Sequence, residues 1–184
     1  MDETIRTVSH PQRPVYWLIY GLMGWTAAIT VVVSFTSQDS SVQGSVLAVV
    51  GLALVAVLLV GVIKVLVVHT RASVEEGLTL SVGPFVSRTL PWEAIQSIEK
   101  APTGGAMDVG WKWLGPGRIG YLAGAENVLV KTNADFRRQV LQGEVTVEGR
   151  QKLAEWYFVS VPESELTAQR LNRMRESSDS PPTG

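Results

Sequence analysis

The sequence predicts an α+β membrane protein: a two-helix transmembrane hairpin near the N-terminus, then a small antiparallel β-barrel or sandwich of six or seven strands closed by a C-terminal helix. Three observations carry this reading. No charged residue occurs from Val15 to Ser37 or from Val42 to Ile63, whereas charges recur every few residues after Arg71. Beyond Arg71, short stretches of alternating apolar and polar residues are separated by Gly and Pro turns. After Pro162 the chain runs from acidic to basic, the order that complements a helix dipole. Charged residues are 18% of the whole, below the usual quarter, and mean hydropathy is positive. That average conceals two regimes with a boundary near residue 70.

Residues 1–14 form an N-terminal arm. Residues 15–36 form the first span, and at about 1.5 Å per residue they cover roughly 33 Å, enough for a hydrocarbon core of about 30 Å. Residues 46–68 form the second, built on the uncharged run Val46 to Ile63 and continuing past Lys64 to Val68. Neither run carries the polar stripe of a helix buried in a soluble protein. A cleaved signal sequence fits the first run poorly, because signal cores are about 7–15 residues and end in a small-residue site. This run is longer and ends in Ser34-Phe35-Thr36-Ser37-Gln38, so it reads as an uncleaved anchor.

The loop at residues 37–45 holds Asp39 as its only charge, so the two helices are expected to be antiparallel neighbours. Arg6 and Arg13 precede the first span, Lys64 and Arg71 follow the second, and the loop has no Lys or Arg. By the positive-inside rule both termini are cytoplasmic. Tyr16, Trp17 and Tyr20 suit an aromatic belt at that surface, to which Lys64 can snorkel. Gly24 with Ala28, and Gly44 with Ala48, have the small-xxx-small spacing that permits close helix approach, either within the hairpin or onto other spans. No ionisable residue sits mid-span, which disfavours transport by this chain alone.

Residues 71–175 are the soluble domain, with 13 Lys+Arg against 12 Asp+Glu, a balance that excludes a nucleic-acid signature. Leu78, Leu80 and Val82 alternate with Thr79 and Ser81, the period of a half-buried strand. After the Gly83-Pro84 turn, Phe85 to Leu90 and Ile95 to Lys100 read as strands, as do Arg118 to Ala123 and Val128 to Thr132. Ala101 to Gly110 is a Gly/Pro-rich break, and Asn133 to Gln142 is either a polar loop or a short helix. Val145–Glu148 and Leu153–Val161 are expected to close the sheet as a hairpin about Gly149. Pro162 suits the first position of the final helix, with Glu163 and Glu165 in its first turn and Arg170, Arg173 and Arg175 in its last. Residues 176–184 are Ser/Pro-rich and expected to be disordered.

Cysteine is absent, which removes disulfides, thiol catalysis and thiolate metal sites. The two histidines, His10 in the arm and His69 at the end of the second span, fall outside the expected soluble domain. No metal, no cofactor and no catalysis are therefore expected, since these need convergent ligands or an acid, a base and an orienting group. Gly115-Pro116-Gly117-Arg118-Ile119-Gly120 matches G-x-G-x-x-G, but a dinucleotide site needs a strand before it and a helix after it. Here a strand follows, so the motif reads as a tight turn. Trp111, Lys112 and Trp113, with Arg118 nearby, admit two readings. They form a cluster for lipid headgroups or a partner, or the indoles face inward, the commoner fate of Trp.

Three stretches resemble the bacterial pleckstrin-homology-like (PH-like) domains of small membrane proteins. They are Val74-Glu75-Glu76-Gly77-Leu78-Thr79-Leu80, then Leu90-Pro91-Trp92-Glu93-Ala94-Ile95-Gln96-Ser97-Ile98, and Tyr157-Phe158-Val159-Ser160-Val161-Pro162-Glu163-Ser164-Glu165-Leu166 leading into the helix. An actinobacterial family of unknown function with the same two-span layout is similar too. The resemblance covers residues 71–175 and departs from the compact pattern at Asn133 to Gln151. It implies a bacterial plasma-membrane protein with a PH-like fold. Phosphoinositide-reading relatives of that fold use basic loops, for which Arg137 and Arg138, with Lys131 and Arg150, are the candidates here. Asp135, Glu144 and Glu148 intersperse them, so a mixed solvated face competes with this reading. The expected function is a membrane-anchored, non-catalytic binding or scaffolding module that partners the bilayer and other membrane or cytosolic proteins. The alternatives are an anionic-lipid sensor and an accessory subunit of a larger membrane complex.

Overall fold

The computed structural model describes residues 4–36, 50–51, 53–57, 60–62, 66–84, 86–102, 105, 108–124, 126–147 and 152–178. They fall into two compact units, Arg13–Lys64 and a second made of Met1–Gln12 together with Val65–Gly184.

In the first unit, helix α1 runs from Arg13 to Thr36. Its Arg13–Val33 stretch is 21 residues of mean hydropathy 1.6, long and apolar enough to cross a membrane. Trp17, Leu18, Tyr20, Leu22, Trp25, Ile29 and Val31 are all exposed. Its few hydroxyls are satisfied within the helix: Thr26 donates to the Leu22 and Met23 carbonyls at 3.0 and 2.9 Å, and Thr30 to the Thr26 carbonyl at 2.8 Å. A membrane-spanning segment requires such internal pairing. Where the second span is expected, helical backbone recurs at residues 50–51, 53–57 and 60–62, and most other positions of that stretch lie outside the described residues. Its expected end is displaced, because a turn at Leu66 precedes strand backbone from Val68 onward.

The second unit is α+β, with nine strands in two sheets among its described residues. The first sheet joins β1 (Thr4–Ser9), β2 (Val68–Ser73), β3 (Gly77–Val82) and β4 (Val86–Leu90) in that order, all antiparallel. The expected alternation holds in β3, where Leu78, Leu80 and Val82 are buried and Thr79 and Ser81 are not. β1 is the unexpected member. Residues read as a polar arm are instead an edge strand, paired from Thr4↔Ser73 to Ser9↔Val68. Its alternation of Ile5 and Thr7 with Arg6 and Val8 turns one face to the core, against which Ile5 packs.

After a single 3₁₀ turn at Trp92–Ala94, the second sheet follows with β5 (Ile95–Ala101), β6 (Val109–Gly115), β7 (Arg118–Ala123), β8 (Asn127–Thr132) and β9 (Trp156–Ser160). Its order is β5-β8-β9-β7-β6. β9 lies antiparallel to β8 and parallel to β7, so the sheet is mixed and not antiparallel throughout as expected. The strand count exceeds six or seven because β1 and β6 were not anticipated. Val145 to Val147 is not a strand, and no hairpin forms about Gly149 from the described residues. Helix α2 (Ala134–Gln142) resolves the ambiguous segment, with the Asn133 side chain accepting from the Asp135 amide and Gly143 closing the end at φ +78°.

Helix α3 (Ser164–Ser178) packs on β5, β8 and β2 through Thr167, Ala168, Leu171 and Met174. It begins two residues after Pro162, because the Glu126 carboxylate accepts from the Ser164 amide at 2.9 Å and hydroxyl at 2.8 Å. It also runs through Glu176–Ser178, which were expected to be disordered. Asn172 donates to the Ile98 carbonyl at 2.8 Å, stitching the helix to β5. The core lies between the sheets and beneath α3, with Val68, Leu78, Leu80, Leu90, Val128, Val130, Tyr157, Val159 and Leu171 fully buried. Arg88 enters it from β4, donating to the Tyr157 hydroxyl at 3.2 Å and the Lys152 carbonyl at 2.9 Å.

A second polar cluster ties the sheets together where β1 ends. The Ser9 hydroxyl donates to the Ser160 carbonyl at 2.9 Å, and the Ser160 hydroxyl donates to Asn127 Oδ1 at 2.7 Å while accepting from the Ala123 amide at 2.9 Å. All three side chains are buried. Ser160 thus serves the junction between the sheets. Asn127→Ala leaves the buried Ser160 hydroxyl proton without its acceptor and is expected to cost about 1–3 kcal/mol, read as a lowered urea midpoint of the full chain in detergent. Glu126 generates a pH prediction. Hydrogen bonds from the Ser164 amide and hydroxyl hold its carboxyl below the ordinary 4.5. A depressed carboxyl contributes stability that is present above the ordinary value and lost as pH falls through the lowered one. Melting temperature should therefore fall on acidification below about pH 4.5, and this acid-side slope should be shallower in Glu126→Gln.

Candidate binding surface

β6 and β7 form a hairpin at one edge of the second sheet, with Trp111↔Tyr121, Lys112↔Gly120 and Trp113↔Ile119 opposite one another. Tyr121 reaches the core and Ile119 packs against it, whereas on the edge strand the same face carries Trp111 and Trp113 beyond the core. Trp111 is 42% and Trp113 68% exposed, so the inward-facing reading of the indoles does not hold. Lys112 lies between them in sequence and donates to Asp108 Oδ1 at 2.7 Å. That bond, with one from the Gly105 amide, holds the Asp108 carboxyl below the ordinary range. The Lys112 charge is accordingly already answered inside the hairpin. Arg118 is exposed at the start of β7.

The three glycines of the G-x-G-x-x-G match all have structural employment. Gly115 at φ +127° and Gly117 at φ +69° make the turn between two strands. A Cβ at Gly120 would stand 2.9 Å from Leu122 Cδ1 and 3.1 Å from Leu114 Cδ1, so Gly120 makes room for those side chains. With a strand following it, the motif cannot present a helix N-terminus to a pyrophosphate.

The basic candidates do not converge. Arg137 turns back onto β8, donating to the Thr132 carbonyl and hydroxyl at 3.0 Å each. Arg138 is exposed and pairs with Asp135 at 3.2 Å. Lys131 Nζ sits 5.0 Å from the centroid of the Trp156 ring. On α1, Gly24 and Ala28 are exposed, and a Cβ at Gly24 meets no heavy atom of the described residues within 4 Å. Gly44 and Ala48 lie outside the described residues, as does Arg150. Among the described residues no group of three or more His, Cys, Asp or Glu is placed to hold a metal ion.

The hairpin also has a position along the sheet. Val109 opposes Ala123, whose amide meets Ser160 beside Ser9, so β6 starts at the end of the sheet where β1 finishes. At about 3.3 Å per residue, Trp113 stands roughly 13 Å further along and the Gly115–Gly117 turn roughly 20 Å.

What the sequence reading missed is the outer face of the first sheet. The β1–β2 register sets Arg6 opposite Arg71 and Val8 opposite His69, all four exposed. His69 therefore belongs to the β-domain and not to a span. The signal available was the alternation in Thr4-Ile5-Arg6-Thr7-Val8-Ser9, whose β-branched residues favour a strand.

Compared with protein-family models, with curated proteins and with solved structures, the chain finds no match in any of the three. Because both indoles are exposed, Trp113→Ala should change unfolding stability by no more than about 0.5 kcal/mol, measured by urea titration in detergent. A loss of several kcal/mol would return Trp113 to the core.

Proposed function

We propose that the chain is a two-span, membrane-anchored binding module of PH-like kind, non-catalytic, with its β-domain and both termini on the cytosolic side of a bacterial plasma membrane. The observation that carries the proposal is the pairing of Ser9 with Val68. Because residues 10–67 leave and re-enter the domain on neighbouring strands, a membrane crossing by α1 requires a return crossing. Val46 to Ile63 is the charge-free run available to make it. Arg6, Arg13, Lys64 and Arg71 flank the two junctions, which favours the cytosol for the domain.

Two sheets around one core with a C-terminal helix packed on them support a PH-like domain, and the parallel β7–β9 pair is the feature that departs from the resemblance. Exposed indoles on an edge strand suit contact with a protein partner. A second reading, an accessory subunit of a larger membrane complex, is favoured by the exposed Gly24 and Ala28 positions, which leave room for another helix.

The absence of cysteine makes the topology directly testable. In intact cells, a membrane-impermeant maleimide should label Ser40→Cys and leave Thr4→Cys and Ser178→Cys unlabelled until the cells are opened. Labelling of Thr4→Cys from outside would reverse the orientation. Labelling at Thr4→Cys and Ser178→Cys on opposite sides would overturn the two-span reading.

A further inference from the structure

We propose that the outer face of the first sheet is a binding site for a phosphate anion, held between Arg6 of β1 and Arg71 of β2 with His69 beside them. The proposal rests on the membrane-anchored reading and names a ligand chemistry for a face which that reading leaves unassigned. Its starting point is the register. Arg6 and Arg71 are direct cross-strand partners on the exposed face, so their Cβ atoms lie about 4.5–5.5 Å apart. Like charges in that relation destabilise a strand pair. Arg71 is partly answered by Glu76 at 3.6 Å, an exposed contact at the far turn, and no ion pair to Arg6 occurs among the described residues. An anion between two guanidinium forks would turn this repulsion into charge-assisted hydrogen bonds.

The surroundings suit the same occupant. His69 stands one row nearer the strand end, opposite Val8 and Ser81. Thr79 and Thr89 continue the Arg6–Arg71 row across β3 and β4, and Ser81 and Ser87 continue the His69 row. Apart from Glu76 in the β2–β3 turn, the outward positions of these four strands carry no carboxylate. The face is thus cationic and rich in hydroxyls, with its acids, Glu75 and Glu76, at the end away from Ser9 and Val68. Position along the chain adds the source. From Arg6 to Arg13, where α1 begins, there are seven residue steps, an extended reach of at most about 25 Å. Going toward that junction one meets the arginine row, then exposed Val8 with His69, then His10. Cations set just behind an apolar residue match the headgroup layer of an anionic leaflet.

The test uses the full chain in nanodiscs at low salt and follows amide exchange over Thr4–Ser9. Discs of phosphatidylcholine are compared with discs containing phosphatidylglycerol, and with phosphatidylcholine discs supplied with millimolar inorganic phosphate. The expected result is exchange slowed by about fivefold or more when the anion is supplied. Slowing by phosphatidylglycerol assigns the site to a lipid headgroup, and slowing by inorganic phosphate alone assigns it to a soluble phosphate. Arg6→Gln and Arg71→Gln should each abolish the effect. In plain phosphatidylcholine each should melt no lower than wild type, since the repulsion is gone, which also shows that they fold. Unchanged exchange under both anions, or equal slowing in the two variants, would overturn the site. Nanodiscs expose both membrane faces, so this outcome is independent of the orientation that maleimide labelling reads.

Discussion

The antiparallel pairing of β1 with β2 is the constraint on which the rest depends, because it splices the two ends of the chain into one domain. β1 precedes the apolar insert and β2 follows it, yet they share six register pairs and one face of the same core. Closing a flexible loop of some 60 residues carries a length-dependent entropy of roughly 3–4 kcal/mol. The six β1–β2 register pairs and the core face they share must offset that cost. Residues 10–67 therefore leave and re-enter the β-domain on neighbouring strands, and the β1–β2 register fixes where they do so.

The second sheet completes the domain by a different route. β9 enters between β7 and β8, so two strands adjacent in sequence are not adjacent in the sheet. Its last residue, Ser160, occupies the meeting point of Ser9, Ala123 and Asn127. Buried polar groups of this kind are costly unless each is satisfied, and here the hydrogen bonds link β1 to β7, β8 and β9. Glu126, one residue before β8, caps the helix that packs on both sheets. The β1 end is thereby the organised pole of the domain. The indoles of β6 extend away from it, toward the Gly115–Gly117 turn.

How much of this was legible follows from which interactions are local. β3 announces itself by alternation, β7 by the glycines that bound it, and α3 by its charge order. The ends of α2 were also legible, as Asn133 and Gly143 are the residues that cap a helix, although the polar interior hid the element between them. β1 was obscured by its context: a short strand with an arginine, next to a long apolar run, reads as a flanking arm until its partner is known. The closing hairpin about Gly149 failed for a related reason, since β9 finds its partners in β7 and β8 and not in the residues just before it. The exposure of Trp111 and Trp113 was beyond the sequence as well. Their partners Tyr121 and Ile119 meet the core, and only the edge position of β6 takes the indoles past it. Arg6 and Arg71 are opposed solely through register, which no local pattern contains.

The central claim can be read at one pair of positions. In a chain with no native cysteine, Val8→Cys with His69→Cys places two thiols on directly opposed residues, within the separation a disulfide requires. Val8→Cys with Arg71→Cys offsets them by one row. Mild oxidation of the full chain in membranes, followed by counting free thiols, is the decisive measurement. The β1–β2 pairing predicts a crosslink in the matched pair and little in the offset pair, whereas free thiols throughout, or equal crosslinking in both, would contradict it.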